Sequence, residues 1–370
     1  MYKLAFIGGS CESIAGNPHF IASQMDNRFK VVAGAFSSNQ KINENTASLW
    51  HIAKVYDDWK DLIKQEKEHV DAVVILMPTP LHLDVILELL AHDIPIICEK
   101  SLVTSLDEME TIKKNYDCNR HFLAVTNNYS GYPMVRELQK KIQNKALGDI
   151  LHIRLKMPQE SFLRPPKSVK YPQKWRLKDG FIPMINLDLG AHLHHLAYFL
   201  LQEEPVKIMA TYDQFSKYDV VDDVNMFLAY GSGIKGNFWL SKTALGNRNG
   251  LHIEIYGSKA SAAWHQENPE KLEFSYSSGQ KTIIDRGSDL DMMPNALYNR
   301  MTPGHPAGFI ESFANLYNDI ADELDAFKQN TKSCTEYVYG VEHAGKGINL
   351  LHSASISNKN KAWINIKSYS

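Results

Sequence analysis

The sequence predicts an α/β fold in two parts, a doubly wound parallel sheet followed by a domain with strands of the antiparallel kind. Three observations carry this. Short β-branched runs alternate with helical stretches through the first third, the pattern of a parallel sheet with helices on both faces. The first apolar run meets glycines at once, in FIGGSCESIAG (residues 6–16). From about residue 150 the pattern changes to alternating runs joined by Gly-rich turns such as GSGIKG, which suits antiparallel pairing.

In chain order, KLAFIGG leads to the helical stretch SIAGNPHFIASQM, and KVVAGAF to the region of NENTASLWHIA. VDAVVILMP leads to PLHLDVILELLAHD, IPIICEK to SLDEMETIKKN, and HFLAVTNN closes the series. Continuous runs such as VVILM and IPIIC fit strands buried on both faces. The later strands are DILHIRLKM, VKIMATYDQF, NMFLAYGSG, IKGNFWLSK and LHIEIYGSK, with helices at LDLGAHLHHLAYFLL and FIESFANLYNDIADELDAF. The change of pattern sets two domains, 1–126 and 127–370, with no internal repeat or low-complexity linker.

Composition narrows the function classes. At 370 residues, 44% hydrophobic and 22% charged, the chain suits a soluble globular protein of about two domains. Its formal net charge of −2 gives no field toward nucleic acid or an anionic membrane. No apolar stretch approaches the ~18 residues of a membrane span. Cys11, Cys98, Cys118 and Cys334 show no Cys-x-x-Cys spacing, which fits a reducing compartment and no disulfide framework. The expectation is a cytoplasmic protein with neither nucleic-acid nor membrane partners.

In a doubly wound sheet, ligands bind beyond the carboxyl ends of the strands. There stand PTPLH (Pro78 to His82), Glu99-Lys100 and Asn127-Asn128-Tyr129. A lysine just past a buried strand is not needed for packing, since burying an unpaired ammonium costs several kcal/mol. Lys100 is therefore either a surface lysine beside Glu99 or a positioned cation. In DLGAH, Asp188 and His192 stand at i and i+4, on one face if this opens a helix. That pair is either a carboxylate orienting a general base or a helix cap beside a satisfied histidine. His192 and His195, with Asp188, also raise a metal site. No second ligand cluster accompanies them, and none is expected.

With these pieces in order, the chain resembles the glucose–fructose oxidoreductase / inositol dehydrogenase (Gfo/Idh/MocA) family over nearly its full length. The resemblance rests on the glycine loop at 8–16, PTPLH at 78–82, CEKS at 98–101 and DLGAH at 188–192. NNYSGYPMVRE, NGLHIEIYGSKASAAWHQENP and GHPAGFIESFANLY look like its inositol-dehydrogenase-like or levoglucosan-dehydrogenase-like branch. Ser101 replaces the family's usual proline after Glu-Lys.

The resemblance implies a Rossmann domain followed by an α/β domain with a large, mostly antiparallel open sheet that serves as an oligomer interface, in a homodimer or homotetramer. It implies a catalytic set of Lys100, Asp188 and His192. Cofactor contacts would come from Gly8, Gly9, Ser10, Ser13, Ile14, Ser37, Ser38, Pro78, His82, Glu99, Lys100 and Asn128. Tyr129, Trp175, Arg176, His195 and His305 are the candidate contacts to a polyhydroxylated small-molecule substrate.

The glycine loop departs from Gly-x-Gly-x-x-Gly, since Gly8, Ser10 and Ser13 stand at those places. Glu12 is expected to turn to solvent or toward a sugar hydroxyl of the cofactor. The end of the second strand, VVAGAFSSN, has no acid for the ribose hydroxyls and no Arg for a 2′-phosphate. NAD is expected, with NADP not excluded. The activity expected is hydride transfer at a secondary alcohol or ketone of a sugar, sugar derivative or cyclitol. The rivals are an NAD-retaining glycoside-cleaving enzyme and a non-catalytic nucleotide-binding regulator.

Overall fold

A computed structural model gives the fold, and it describes residues 1–165, 172–292, 295–333 and 335–369. Cys334 lies outside the described residues.

The first strands and helices alternate as the hydrophobic pattern requires: β1 (Tyr2–Gly8), α1 (Gly16–Gln24), β2 (Phe29–Ala35), α2 (Gln40–Leu49), β3 (Lys54–Val55), α3 (Trp59–Glu66), β4 (Ala72–Leu76), α4 (His82–Ala91), β5 (Ile96–Cys98), α5 (Leu106–Asn115) and β6 (Leu123–Val125). Six strands pair in parallel in the order β3-β2-β1-β4-β5-β6. The order reverses at β1 and β4, so their carboxyl ends flank the crevice where such sheets bind ligands. Helix starts follow local chemistry. Asn39 caps α2 by accepting from Ile42 N, and Asp58 caps α3 by accepting from Lys60 N. β3 and α3 were not anticipated, because KV is too short to show a period.

The chain continues through α6 (Pro133–Gln143), β7 (Ile150–Pro158), α7 (Ala191–Leu201), β8 (Pro205–Asp213), β9 (Asp223–Tyr230), β10 (Lys235–Ser241), β11 (His252–Gly257), β12 (Ala260–His265), β13 (Leu272–Tyr276), β14 (Lys281–Ile284), α8 (Phe309–Lys328), α9 (Val341–Asn360) and β15 (Ile364–Asn365). A nine-stranded sheet forms in the order β14-β13-β12-β11-β7-β10-β9-β8-β15. Only β7 and β10 pair in parallel; the other neighbours are antiparallel. Alternation sorts its two faces. Ile153, Leu155, Phe238, Leu240, Ile253 and Ile255 are buried, while Arg154, Phe227 and Tyr256 are exposed. In the GSGIKG turn, Gly233 takes a φ of +97°, a conformation that glycine adopts without strain.

The chain forms two compact units that do not follow a single cut at residue 126. The first holds residues 1–103, 107–131 and 308–344; the second holds 104–106, 132–307 and 345–370. α8, which the sequence boundary put in the second domain, belongs to the first. Its Phe313, Leu316, Tyr317, Ile320 and Leu324 join the core of Leu4, Phe6, Phe29 and Val31. A helix returning from late in the chain leaves no trace in a linear pattern, because periodicity shows which face is buried and not what covers it.

Candidate active site

In the first unit, the turn after β1 brings the backbone close to β4. Gly8 and Gly9 have φ of +80° and +73°. A Cβ on Gly9 would overlap the Leu76 side chain, and one on Gly16 would strike the carbonyls of Gly9 and Ser10. These glycines let the loop fold tightly onto the start of α1, as a dinucleotide turn requires.

Ser10 is buried, Ser13 Oγ accepts from Gly16 N at 2.7 Å, and Ala15 gives the helix no side-chain cap. The first amide of α1 is therefore already taken, and Pro18 offers none. Ile14 is 79% exposed, an apolar surface that a bound group would cover. Glu12 is exposed, in keeping with the solvent orientation expected of it. Ser37 and Ser38 follow β2, where Ser37 Oγ accepts from Asn39 N. Pro78 is partly exposed beyond β4. These residues fit a bound dinucleotide.

Two expected cofactor contacts are packed inside the unit instead. His82 is fully buried, with Nε2 2.8 Å from Met77 O and Nδ1 3.1 Å from Leu102 O and 3.5 Å from Cys98 Sγ. Burial pushes its pKa down and that of Cys98 well up. Both ring nitrogens face carbonyl oxygens, and a neutral ring can donate to one of them at a time. His82 ties the Pro78 turn to the segment after Lys100. Asn128 is 2% exposed, with Nδ2 3.4 Å from Ser312 Oγ on α8.

Glu99 anchors the remaining pair. His19 Nε2 lies 3.0 Å from Glu99 Oε1, and His19 Nδ1 lies 2.7 Å from the Tyr317 hydroxyl. Thr126 Oγ1 also donates to Glu99 Oε1. Burial alone would raise the pKa of Glu99. Hydrogen bonds from His19 and Thr126 and the nearby charges of His19 and Lys100 outweigh it and leave the group below its ordinary value. Lys100 is half-buried beside this carboxylate, and its peptide bond to Ser101 is cis. Tyr129 is 3% exposed, with its ring 6.2 Å from that of Phe309.

In the second unit, Asp188 does not open a regular helix. Asn186–Gly190 forms a π-helical turn, and α7 takes over at Ala191. Such turns recur at functional sites because they re-aim side chains. The continuous α-helical i, i+4 spacing expected between Asp188 and His192 is thus replaced by a π-to-α junction.

Asp188 Oδ2 receives Arg176 Nη1 and, at 2.8 Å, Lys242 Nζ. The Arg176 guanidinium lies 4.4 Å over the Trp175 ring, and Trp175 Nε1 donates to Gln173 Oε1 at 3.0 Å. Trp175 and Arg176 are thereby gathered at Asp188. His192 is 8% exposed.

His195 is 2% exposed, and burial, with the charge of His194, pushes its pKa down to about 3. It is a core histidine 6.0 Å from the Phe199 ring. His194 pairs with Glu204 at 3.0 Å. Among the described residues, no group of three or more His, Cys, Asp or Glu side chains is placed to hold a metal.

His305 is exposed on a loop, with Nδ1 3.2 Å from Thr302 Oγ1. The buried Arg286 holds that loop. It donates to both carboxylate oxygens of Glu270 and to the carbonyls of Tyr298, Met301 and His305. Neither Arg286 nor Lys242 was anticipated. Lys242 had a signal, since it follows the strand IKGNFWLS as Lys100 follows IPIIC. Arg286 had none, since three of its partners are backbone carbonyls and Glu270 stands 16 residues away.

Two family models match the chain. Residues 2–127 match the oxidoreductase family, NAD-binding Rossmann fold, and residues 135–263 match the GFO/IDH/MocA C-terminal domain. The chain belongs to the GFO/IDH/MocA oxidoreductases.

Within that family, it is 26% identical over 382 residues to the uncharacterized oxidoreductase YfiI of Bacillus subtilis, covering 99% of this chain and 97% of the relative. It is 24% identical over 275 residues to levoglucosan dehydrogenase of Pseudarthrobacter phenanthrenivorans, 68% of each chain. The fold matches that of an inositol dehydrogenase homolog from Azotobacter vinelandii complexed with NAD+, with TM-score 0.91, 24% identity, and 98% and 97% of the two chains covered. This GFO/IDH/MocA protein is accordingly an NAD-binding oxidoreductase. No helix among the described residues is long and apolar enough to cross a membrane.

Proposed function

We propose that this oxidoreductase transfers hydride between NAD and a secondary alcohol or ketone of a sugar, sugar derivative or cyclitol, with Lys100, Asp188 and His192 as its catalytic set. The single observation that carries the reading is Asp188. It is a carboxylate held by two cations on a π-helical turn, four residues before a histidine. Relatives named levoglucosan dehydrogenase and inositol 2-dehydrogenase support the substrate class.

NAD, when bound, supplies the hydride acceptor. His192 takes the hydroxyl proton, an effect on the order of 10²–10⁴-fold in rate. Lys100 holds the substrate oxygen and stabilises the charge that develops on it by fixed electrostatics. Glu99, held below its ordinary pKa by His19 and Thr126, sets a carboxylate beside Lys100. Asp188 binds the substrate hydroxyls or orients the other two groups. Trp175, Arg176, Tyr129 and His305 are proposed as substrate contacts, and Ser37 and Ser38 as cofactor contacts at the end of β2.

Self-association would use the open face of the nine-stranded sheet, where Phe227 is 51% and Tyr256 39% exposed. It would give a homodimer or homotetramer, which light scattering distinguishes. The activity is tested by incubating the protein and NAD+ with monosaccharides, anhydrosugars and inositols and following NADH. Net NADH formation supports the reading. Glycoside cleavage without net NADH would favour the NAD-retaining alternative, and NAD binding with no turnover would favour a regulator.

A further inference from the structure

We infer that Lys242 is a positioning residue for the proposed reaction, acting through Asp188; this rests on the reading of Asp188 above. Lys242 stands one residue past β10, and Gln159 one residue past β7, where these strands pair in parallel through Ser241 and Pro158. Its backbone is held on both sides. Lys242 N donates to Asp222 O at 2.8 Å, and Phe162 N donates to Lys242 O at 3.0 Å.

The ammonium is held as firmly as the backbone. Nζ donates to Asp188 Oδ2 at 2.8 Å and to Gln159 Oε1 at 3.2 Å, and lies 5.7 Å from the centre of the Phe162 ring. Lys242 is 8% exposed, so its charge is compensated by acceptors more than by water, and removing one partner would leave the other costly to keep.

The support extends outward. Gln159 Nε2 donates to Asn249 Oδ1 at 2.6 Å, and Asn249 Nδ2 donates to Gln266 Oε1 at 3.0 Å. Lys242 thus heads a chain of four side chains at the ends of neighbouring strands, donating to Asp188 on one side and to Gln159 on the other. Arg176, the other cation on that oxygen, sits on a single 3-10 turn, Lys174–Leu177, outside the sheet and is anchored by Gln173 and Trp175. Lys242 is the cation on the rigid element, and rigid supports are what keep a reacting group in place. It fixes where Oδ2 lies and thereby the direction in which the carboxylate faces.

The test compares full-length wild type with Lys242→Met, Lys242→Arg, Asp188→Asn and the Asp188→Asn/Lys242→Met double variant. Turnover with NAD+ and the sugar and inositol panel, NAD+ binding by calorimetry, and thermal midpoint are read for each. Lys242→Met is expected to lower kcat on the order of 10–100-fold, the cost of a misplaced reacting group. KM and NAD+ affinity should move less than about threefold, and Lys242→Arg should recover most of the loss, because only the cation on Asp188 is at stake. Added to Asp188→Asn, Lys242→Met should cost little more, since residues acting as one unit are not additive. Wild-type kcat in Lys242→Met, or losses that multiply in the double variant, would overturn the inference. If wild type turns over nothing in the panel, the functional reading fails and the midpoints decide the pairing. Midpoint losses smaller in the double variant than the two singles combined support it; strictly additive losses overturn it.

Discussion

His19 Nε2 lies 3.0 Å from Glu99 Oε1, joining the helix after the glycine loop to the carboxylate beside Lys100. The opposite ring nitrogen lies 2.7 Å from the Tyr317 hydroxyl on α8, so one imidazole holds a partner on each side. The cofactor loop and the strand end that carries Lys100 are thereby locked to one another within a single unit.

Removing the imidazole leaves a buried carboxylate short of a donor. His19→Ala is expected to lower the unfolding free energy by about 1.5–3 kcal/mol, the range for hydrogen bonds to charged groups, as read by urea denaturation. Because Glu99 is depressed in the folded state, its contribution is present above its unfolded pKa of about 4.3 and is lost as pH falls through the lower folded value. The acid limb of stability should therefore be shallower in Glu99→Gln than in wild type. An unchanged limb would show that Glu99 is not the group titrating there.

Gly9→Ala should damage the cofactor site first. The added methyl meets the Leu76 side chain at a φ of +73°, which combines overpacking with a strained backbone, a cost of roughly 1–3 kcal/mol. Calorimetry should show NAD+ affinity weakened at least tenfold.

Arg286→Ala frees the loop that carries His305 from its hold on three carbonyls. The expected result is a raised substrate KM with NAD+ affinity unchanged. Limited proteolysis should cut the region of residues 298–305 faster in this variant.

The parallel sheet and the antiparallel strands of β7 to β11 were legible because burial imposes period and composition on them. Lys100, Asp188 and the glycine loop were legible because each breaks a local rule: a charge past a buried strand, an acid four residues before a histidine, glycines at a strand end. Three kinds of feature were not. α8 joined the first unit through contacts nearly three hundred residues away in sequence. His82 and His195 read as polar site residues by type, whereas the fold buries both. The π-helical turn at Asp188 departs from the 3.6-residue period that a linear reading assumes, so no helical period records it.

Lys100 carries the central claim, and one comparison tests it most directly. NADH formation from NAD+ and the best polyol of the panel is followed for wild type and Lys100→Ala, with NAD+ binding measured on both by calorimetry. The account predicts turnover in wild type, its loss on the order of 10²–10³-fold in the variant, and NAD+ affinity within about threefold between the two. Undiminished turnover in Lys100→Ala would contradict it.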